Sequence, residues 1–155
     1  MKFKNPLLAV ADMEKSKNFY RTVLGLQVIM DFGANVTLTG GVCLQTLETW
    51  QQFISADSQD IIFGHRNAEL YFEEDNFDGF IQKLQTLKNI EYVHPVLEHS
   101  WGQRVVRFYD PDHHIIEVGE NMKTVCRRFL NSGLTPEATA KRMDVPLEFV
   151  QNFTK

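Results

Sequence analysis

The chain has 155 residues, 43% of them hydrophobic and 23% charged, with a formal net charge of -4. This composition is typical of one globular domain, or of two small modules sharing a core. It argues against a general binder of nucleic acid or anionic membranes, and no apolar run is long enough to predict a membrane span. The start lacks a signal-peptide core, and the only cysteines, Cys43 and Cys126, are predicted to be free thiols, so we expect a cytoplasmic protein.

The first half of the chain predicts the order β-α-β-β-β. A short apolar strand at 4–11 precedes a helix, Met13–Leu24, which Asp12 caps and Gly25 ends. Further strands are predicted at 26–32, 34–39 and 42–47, and a short helix at 50–56.

The second half predicts the same order again. A strand at 69–73 leads into a helix that is capped by Asp75 or Asn76 and runs to about Leu87. A short strand at 90–93 and a loop at 94–102 follow, and then a hairpin from Arg104 to Gly119. Adding 64 to the first module places Asn5 on Glu69, which indicates a weak internal repeat.

Glu117 is the anomaly of the hairpin. It is a carboxylate inside the apolar strand Ile115–Val118, where a buried charge is costly unless it is paired or metal-bound. Strand alternation places Glu117 on one face with Ile115, and places Glu69 and Tyr71 together on one face of their own strand. In the repeat, Gln45 takes the part of Glu117 in the first module.

This order of motifs resembles the vicinal oxygen chelate superfamily, which includes glyoxalases, extradiol dioxygenases and bleomycin-resistance proteins. The resemblance rests on residues 10–20 with Leu24-Gly25, on 69–72, and on 108–112 with Ile116-Glu117. It implies an α+β fold in which two βαβββ modules form a curved mixed-sheet cleft. The expected organisation is a glyoxalase-like domain at 1–120, with modules at about 3–56 and 67–120, and a C-terminal helical extension at 121–155.

The resemblance also implies where a metal would be held. By position, its ligands are Asn5, Gln45, Glu69 and Glu117, and Glu69 and Glu117 are the candidate catalytic residues. Enzymes of the superfamily commonly use histidine at the positions of Asn5 and Glu69, so this all-oxygen set favours a hard or adaptable divalent ion of unknown identity. The alternative is no metal, with the two glutamates lining a wet pocket.

Four residues are predicted to contact a small-molecule ligand: Tyr71, Trp101, Gln103 and Arg104. The last three belong to the predicted loop or directly follow it, and a loop with an aromatic and a cation suits a ligand gate. The simpler interpretation is a solvated loop with Trp101 packed on the surface.

The tail is helical, with Thr135-Pro136 starting its second helix and Asp144 or Val145, before Pro146, starting its third. It resembles a small helix-turn-helix, but its last helix lacks the basic residues of a DNA reader, so we expect a cap on the sheet or on a second subunit. The leading hypothesis is a homodimeric protein with a small-molecule cavity; if it is an enzyme, the resemblance implies a metal-dependent lyase or isomerase acting on a substrate with two adjacent oxygens. The alternatives are a non-catalytic binder of the bleomycin-resistance type and a regulator that uses the tail.

Overall fold

The structure is a computed structural model and describes residues 1–153. The first module contains four strands and two helices: β1 (Leu7–Val10), α1 (Met13–Leu24), β2 (Val28–Asp31), β3 (Asn35–Leu38), β4 (Cys43–Thr46) and α2 (Leu47–Ile54). The second contains β5 (Glu69–Glu74), α3 (Phe77–Thr86), β6 (Tyr92–Glu98), β7 (Arg104–Tyr109) and β8 (Ile115–Glu120). Three further helices follow: α4 (Met122–Asn131), α5 (Pro136–Met143) and α6 (Leu147–Gln151).

Each module forms a four-stranded mixed sheet, which confirms the α+β class and the repeated strand order. The strand orders are β1-β4-β3-β2 and β5-β8-β7-β6. In each sheet the first strand runs parallel to the last strand of its module, with Leu7 beside Cys43 and Tyr71 beside Glu117. The chain divides into two compact units: the first is Met1–Ala68 with Tyr109–His114, and the second is Glu69–Phe108 with the chain from Ile115 onward.

Helix ends follow the expected capping chemistry. The Asp12 side chain accepts a hydrogen bond of 2.9 Å from the Lys15 amide, and Gly25 ends α1 at a φ of 73°. Asn76, rather than Asp75, caps α3 by accepting from the Gly79 amide. No helix among residues 1–153 is long and apolar enough to cross a membrane.

Some element boundaries differ from the prediction. The strand predicted at 90–93 continues to Glu98, so most of the predicted loop 94–102 is β6, and only the turn at 99–103 remains. Pro95 is tolerated because β6 is an edge strand with an irregular register against β7. The helix predicted at 50–56 starts earlier, at Leu47.

The tail forms a small helical cluster of its own on the second unit. Thr135 caps α5 with Pro136 at its first position, as predicted. Asp144, however, ends α5 in a left-handed conformation, and α6 begins only after Pro146. The cluster buries apolar side chains from all three helices: Val125, Cys126, Ala140, Met143 and Val150. Cys126 and Cys43 are both free and buried, as expected.

The turn of the hairpin belongs to the first unit. Asp110 is buried there and accepts a hydrogen bond of 2.8 Å from the Tyr20 hydroxyl. Its other oxygen accepts from the amides of Asp112 and His114, and His114 Nδ1 also contacts Asp110. These donors compensate a carboxylate that would otherwise be costly to bury.

Candidate functional site

One face of the second sheet collects most of the predicted site residues. Along β5, Glu69, Tyr71 and Glu73 are exposed and alternate with partly buried residues. Tyr71 pairs with Glu117 in the β5–β8 register, so both side chains point to this side. Helix α3 packs on the opposite side, where Phe80 contacts Phe108. We call the first side the carboxylate face; it consists of Glu69, Tyr71, Glu73, Gln103, Arg107 and Glu117.

Arg107 lies between the two candidate catalytic carboxylates. Its Nε donates to Glu69 at 2.9 Å, and its Nη2 forms a direct ion pair with Glu117. A third donor, Nη1, lies 3.2 Å from Nε2 of His94. Because a guanidinium only donates, Nε2 must accept here; Nδ1 of His94 then carries the proton and donates to the Pro95 carbonyl.

The two carboxyl groups have opposite pKa shifts. Burial raises the pKa of Glu117 to about 7; the charge of Arg107 opposes this rise, and the hydrogen bond with Glu69 adds to it. The hydrogen bond from Arg107 lowers the pKa of Glu69, although burial opposes that effect. The exposures agree with this division, since 37% of the Glu69 side chain is accessible and only 7% of the Glu117 side chain.

A second set of hydrogen bonds runs along the carboxylate face. The Trp101 indole donates to Oε1 of Gln103 at 3.2 Å, and Nε2 of Gln103 donates to the Tyr71 hydroxyl at 2.9 Å. Tyr71, 48% exposed, donates in turn to Glu73. His99 stacks on Trp101 with ring centroids 4.2 Å apart. The structure therefore brings Tyr71, Trp101 and Gln103 together, as three of the four predicted ligand contacts.

Arg104, the fourth, lies on the other side of the sheet. It ion-pairs with Asp78 on α3 and with buried Glu120, and its guanidinium lies over the Phe77 ring. Adjacent strand residues point to opposite faces, so Gln103 and Arg104 could not both reach the carboxylate face. Arg107 was not among the site residues predicted from the sequence, although it is, like Glu117, a charged residue within an apolar strand.

A model of the glyoxalase-like domain family matches residues 3–123. The chain belongs to this family. The match confirms the resemblance to the vicinal oxygen chelate superfamily. No curated protein matches the chain.

The chain is also similar to several solved structures. A protein of unknown function from Agrobacterium tumefaciens str. C58 is 41% identical, with a TM-score of 0.70, and the match covers 78% of this chain and 94% of that one. A glyoxalase/bleomycin resistance protein/dioxygenase from Nocardioides is 18% identical, with a TM-score of 0.63 and coverages of 77% and 83%. Lactoylglutathione lyase from Agrobacterium tumefaciens is 22% identical, with a TM-score of 0.59 and coverages of 78% and 94%. The last two show similarity of fold alone.

The predicted metal ligands of this glyoxalase-like chain are divided between the two units. Asn5 precedes β1 and donates to the Gly41 carbonyl at 2.7 Å, and Gln45 is buried, with its Oε1 accepting from Asn35. The registers of β1 with β4 and of β5 with β8 also change the correspondence that the repeat predicted for Gln45. If Asn5 corresponds to Glu69, then Leu7 corresponds to Tyr71, and Cys43 rather than Gln45 occupies the position of Glu117.

The donor set does not fit the divalent ion that the superfamily implies. The two carboxylates of the set, Glu69 and Glu117, already share the Arg107 guanidinium, a cation at the place where a metal would neutralise them. The Gln45 carbonyl oxygen is engaged with Asn35. Among residues 1–153, no three His, Cys, Asp or Glu side chains are grouped in a way that could hold an ion.

Proposed function

We propose that this glyoxalase-like protein binds a small organic cation on its carboxylate face and needs no divalent metal to do so. The observation that carries the proposal is the position of Arg107, which holds Glu69 and Glu117 together through a hydrogen bond to the first and an ion pair with the second. The protein itself thereby supplies the positive charge that a metal would bring. The two carboxylates are held in place because both they and Arg107 belong to strands of the same sheet.

The charge of the face favours a cationic ligand. Three carboxylates, Glu69, Glu73 and Glu117, stand against the single guanidinium of Arg107, so the face keeps a negative balance when they are ionised. Glu69 is accessible and the Tyr71 ring is half exposed. An ammonium or amidinium group with a planar apolar body would be attracted by the excess negative charge of the face and would stack on the aromatic rings.

A second candidate function is metal-independent proton transfer. It is favoured by the pKa of Glu117, which burial raises to about 7. A carboxyl group with a pKa close to the working pH can both take up and release a proton during a reaction at neutral pH. In this function Glu117 would move the proton, while Arg107 and Tyr71 would orient the substrate. The reaction would be an isomerisation or elimination at a carbon next to an electron-withdrawing group.

Calorimetry with phenyltrimethylammonium tests the binding proposal. Protein treated with EDTA should bind this probe, and addition of Mn²⁺ or Ni²⁺ should not tighten the binding. Glu69→Gln should weaken binding about tenfold because it removes an accessible charge from the face. Glu48→Gln is the matched control, since Glu48 is an exposed glutamate on α2 of the first unit. Binding that appears only with a divalent ion, or equal affinity in both variants, would contradict the proposal.

A further inference from the structure

Apart from the first two residues of α4, the C-terminal helices lie outside the part of the chain that the family shares. The family match ends at residue 123, and α4 begins at Met122. We propose that α4 positions the turn formed by residues 99–103, the Trp101 turn, and thereby sets the affinity of the carboxylate face for its ligand. The first half of this proposal stands on contacts within the second unit, and the second half rests on the proposed function.

The Phe129 ring of α4 packs directly against the backbone of the turn. A Cβ atom added to Gly102 would lie 2.3 Å from the Phe129 ring, so the ring occupies the space that a side chain would need. Gly102 is buried and has a φ of 88°, a conformation that glycine adopts without strain. The close approach of ring and backbone therefore depends on glycine at this position and on an apolar group at Phe129.

Arg128, the preceding residue, binds the same turn by a hydrogen bond. Its Nη2 donates to the Gly102 carbonyl and also lies 3.2 Å from the carboxylate of Glu120, which is 1% exposed. Its Nη1 lies 3.6 Å from Glu98, at the end of β6. One guanidinium thus joins the turn, the strand before it and the last strand of the sheet.

Hydrogen bonds connect the backbone of the turn to Gln103, Tyr71 and Trp101, which are three of the residues predicted to contact the ligand. Inside it, the Gly102 amide donates to the His99 carbonyl, and the His99 amide donates to the Gln103 carbonyl. The Gln103 side chain then donates both to the Glu120 carbonyl and to the Tyr71 hydroxyl, while accepting from Trp101. None of these hydrogen bonds joins Arg128 or Phe129 to Tyr71 or Trp101. Both are therefore positioning residues, which act on the ligand contacts through the turn.

Trp101 provides a signal that separates positioning from plain stabilisation. The chain has two tryptophans, so a Trp50→Phe background leaves Trp101 as the sole indole emitter. In that background we compare Arg128→Ala, Arg128→Lys and Phe129→Ala with Arg127→Ala, a control that removes the neighbouring exposed arginine of the same helix. The measurements are acrylamide quenching of Trp101, calorimetric affinity for phenyltrimethylammonium, and the thermal midpoint.

Arg128→Ala and Phe129→Ala should raise the quenching constant about twofold and weaken the probe about tenfold, because the turn loses the contacts that fix it. Arg128→Lys should fall in between, since an ammonium keeps the charge but lacks the planar fork that reaches several acceptors at once. Arg127→Ala should match the background protein in quenching and affinity.

Each contrary result has a defined meaning. If Arg128→Ala lowers only the thermal midpoint, and its quenching and affinity equal those of Arg127→Ala, then α4 merely stabilises the unit and the inference fails. If quenching changes without affinity, the link to the ligand fails. If the background protein does not bind the probe, the proposed function fails, while the quenching series still decides whether α4 positions the turn. Should Phe129→Ala unfold, as judged by circular dichroism, Arg128→Ala decides alone.

Discussion

Arg107 on β7 and Glu117 on β8 form a direct ion pair on the carboxylate face, and the same guanidinium also binds Glu69. Neutralisation by an arginine differs from neutralisation by a metal in one testable respect. A chelator removes a metal but not a guanidinium, which is part of the chain. A mutation that removes the guanidinium leaves two adjacent carboxylates without a cation.

Arg107→Met should therefore bind a divalent ion more tightly than the natural chain does. Mn²⁺ suits the carboxylate oxygens that become free, and at 100 times its dissociation constant it would stabilise the variant by about 2.7 kcal/mol. The measurement is the thermal midpoint with and without Mn²⁺. The double variant Arg107→Met, Glu69→Gln should lose the effect. Equal responses of wild type and Arg107→Met would show that the arginine does not occupy a cation position.

The stability contributed by Glu117 should fall as the pH rises. Its pKa is about 7 in the folded chain against an ordinary value of 4.5, so between these values the folded state holds the proton more firmly than the unfolded state. The contribution of Glu117 to the free energy of unfolding is therefore fully present below this window, decreases with rising pH within it, and is lost above it.

Urea denaturation at about pH 5 and about pH 8 measures this dependence. Relative to wild type, Glu117→Gln should be more stable at the higher pH than at the lower. Glu69→Gln is the control: the pKa of Glu69 is lowered from its ordinary value of 4.5, so its contribution is lost only at lower pH, and its difference from wild type should be nearly the same at both pH values. A Glu117→Gln difference that is the same at both pH values would contradict the raised pKa.

Tyr20→Phe should destabilise the first unit. The substitution removes only the hydroxyl that donates to buried Asp110, which leaves that carboxylate with one donor fewer. The expected loss is about 1–3 kcal/mol of unfolding free energy, the usual cost of an unsatisfied buried group. Tyr92→Phe, at a partly exposed tyrosine on β6, serves as the control and should change stability little. Equal stability of both variants would show that the bond to Asp110 contributes nothing.

A fourth prediction concerns the expected homodimer. Strand β2 is one of the two edge strands of the first sheet, and Val28, Ile29 and Met30 are all exposed on it. An apolar edge of this kind favours pairing with a second strand, so we predict that two chains associate through β2. Sedimentation should show a dimer for wild type and a monomer for Ile29→Lys. Ile62→Lys, an exposed isoleucine outside the sheet, should stay dimeric. A monomeric wild type would refute this prediction.

The elements that depend on nearby residues could be read from the sequence. The cap at Asp12, the stop at Gly25 and the hairpin around Pro111 use interactions within a few positions, and each appears as predicted. Strand alternation also placed Glu69, Tyr71 and Glu117 correctly, because the period of two survives wherever a strand is regular. The strand boundaries of β6 were missed because its irregular pairing with β7 is a long-range property.

What the sequence by itself determined is the family, the repeated β-α-β-β-β order and the face on which each strand residue lies, since all three follow from local pattern and spacing. Which charges meet was decided only by the tertiary structure. Arg104 and Arg107 look equivalent in the sequence, but they are three positions apart on one strand and therefore point to opposite faces of the sheet. Arg104 forms ion pairs with Glu120 and Asp78, and Arg107 forms ion pairs with Glu117 and Glu69. Ion pairs between distant residues depend on strand order and register, and these form only when the whole sheet does.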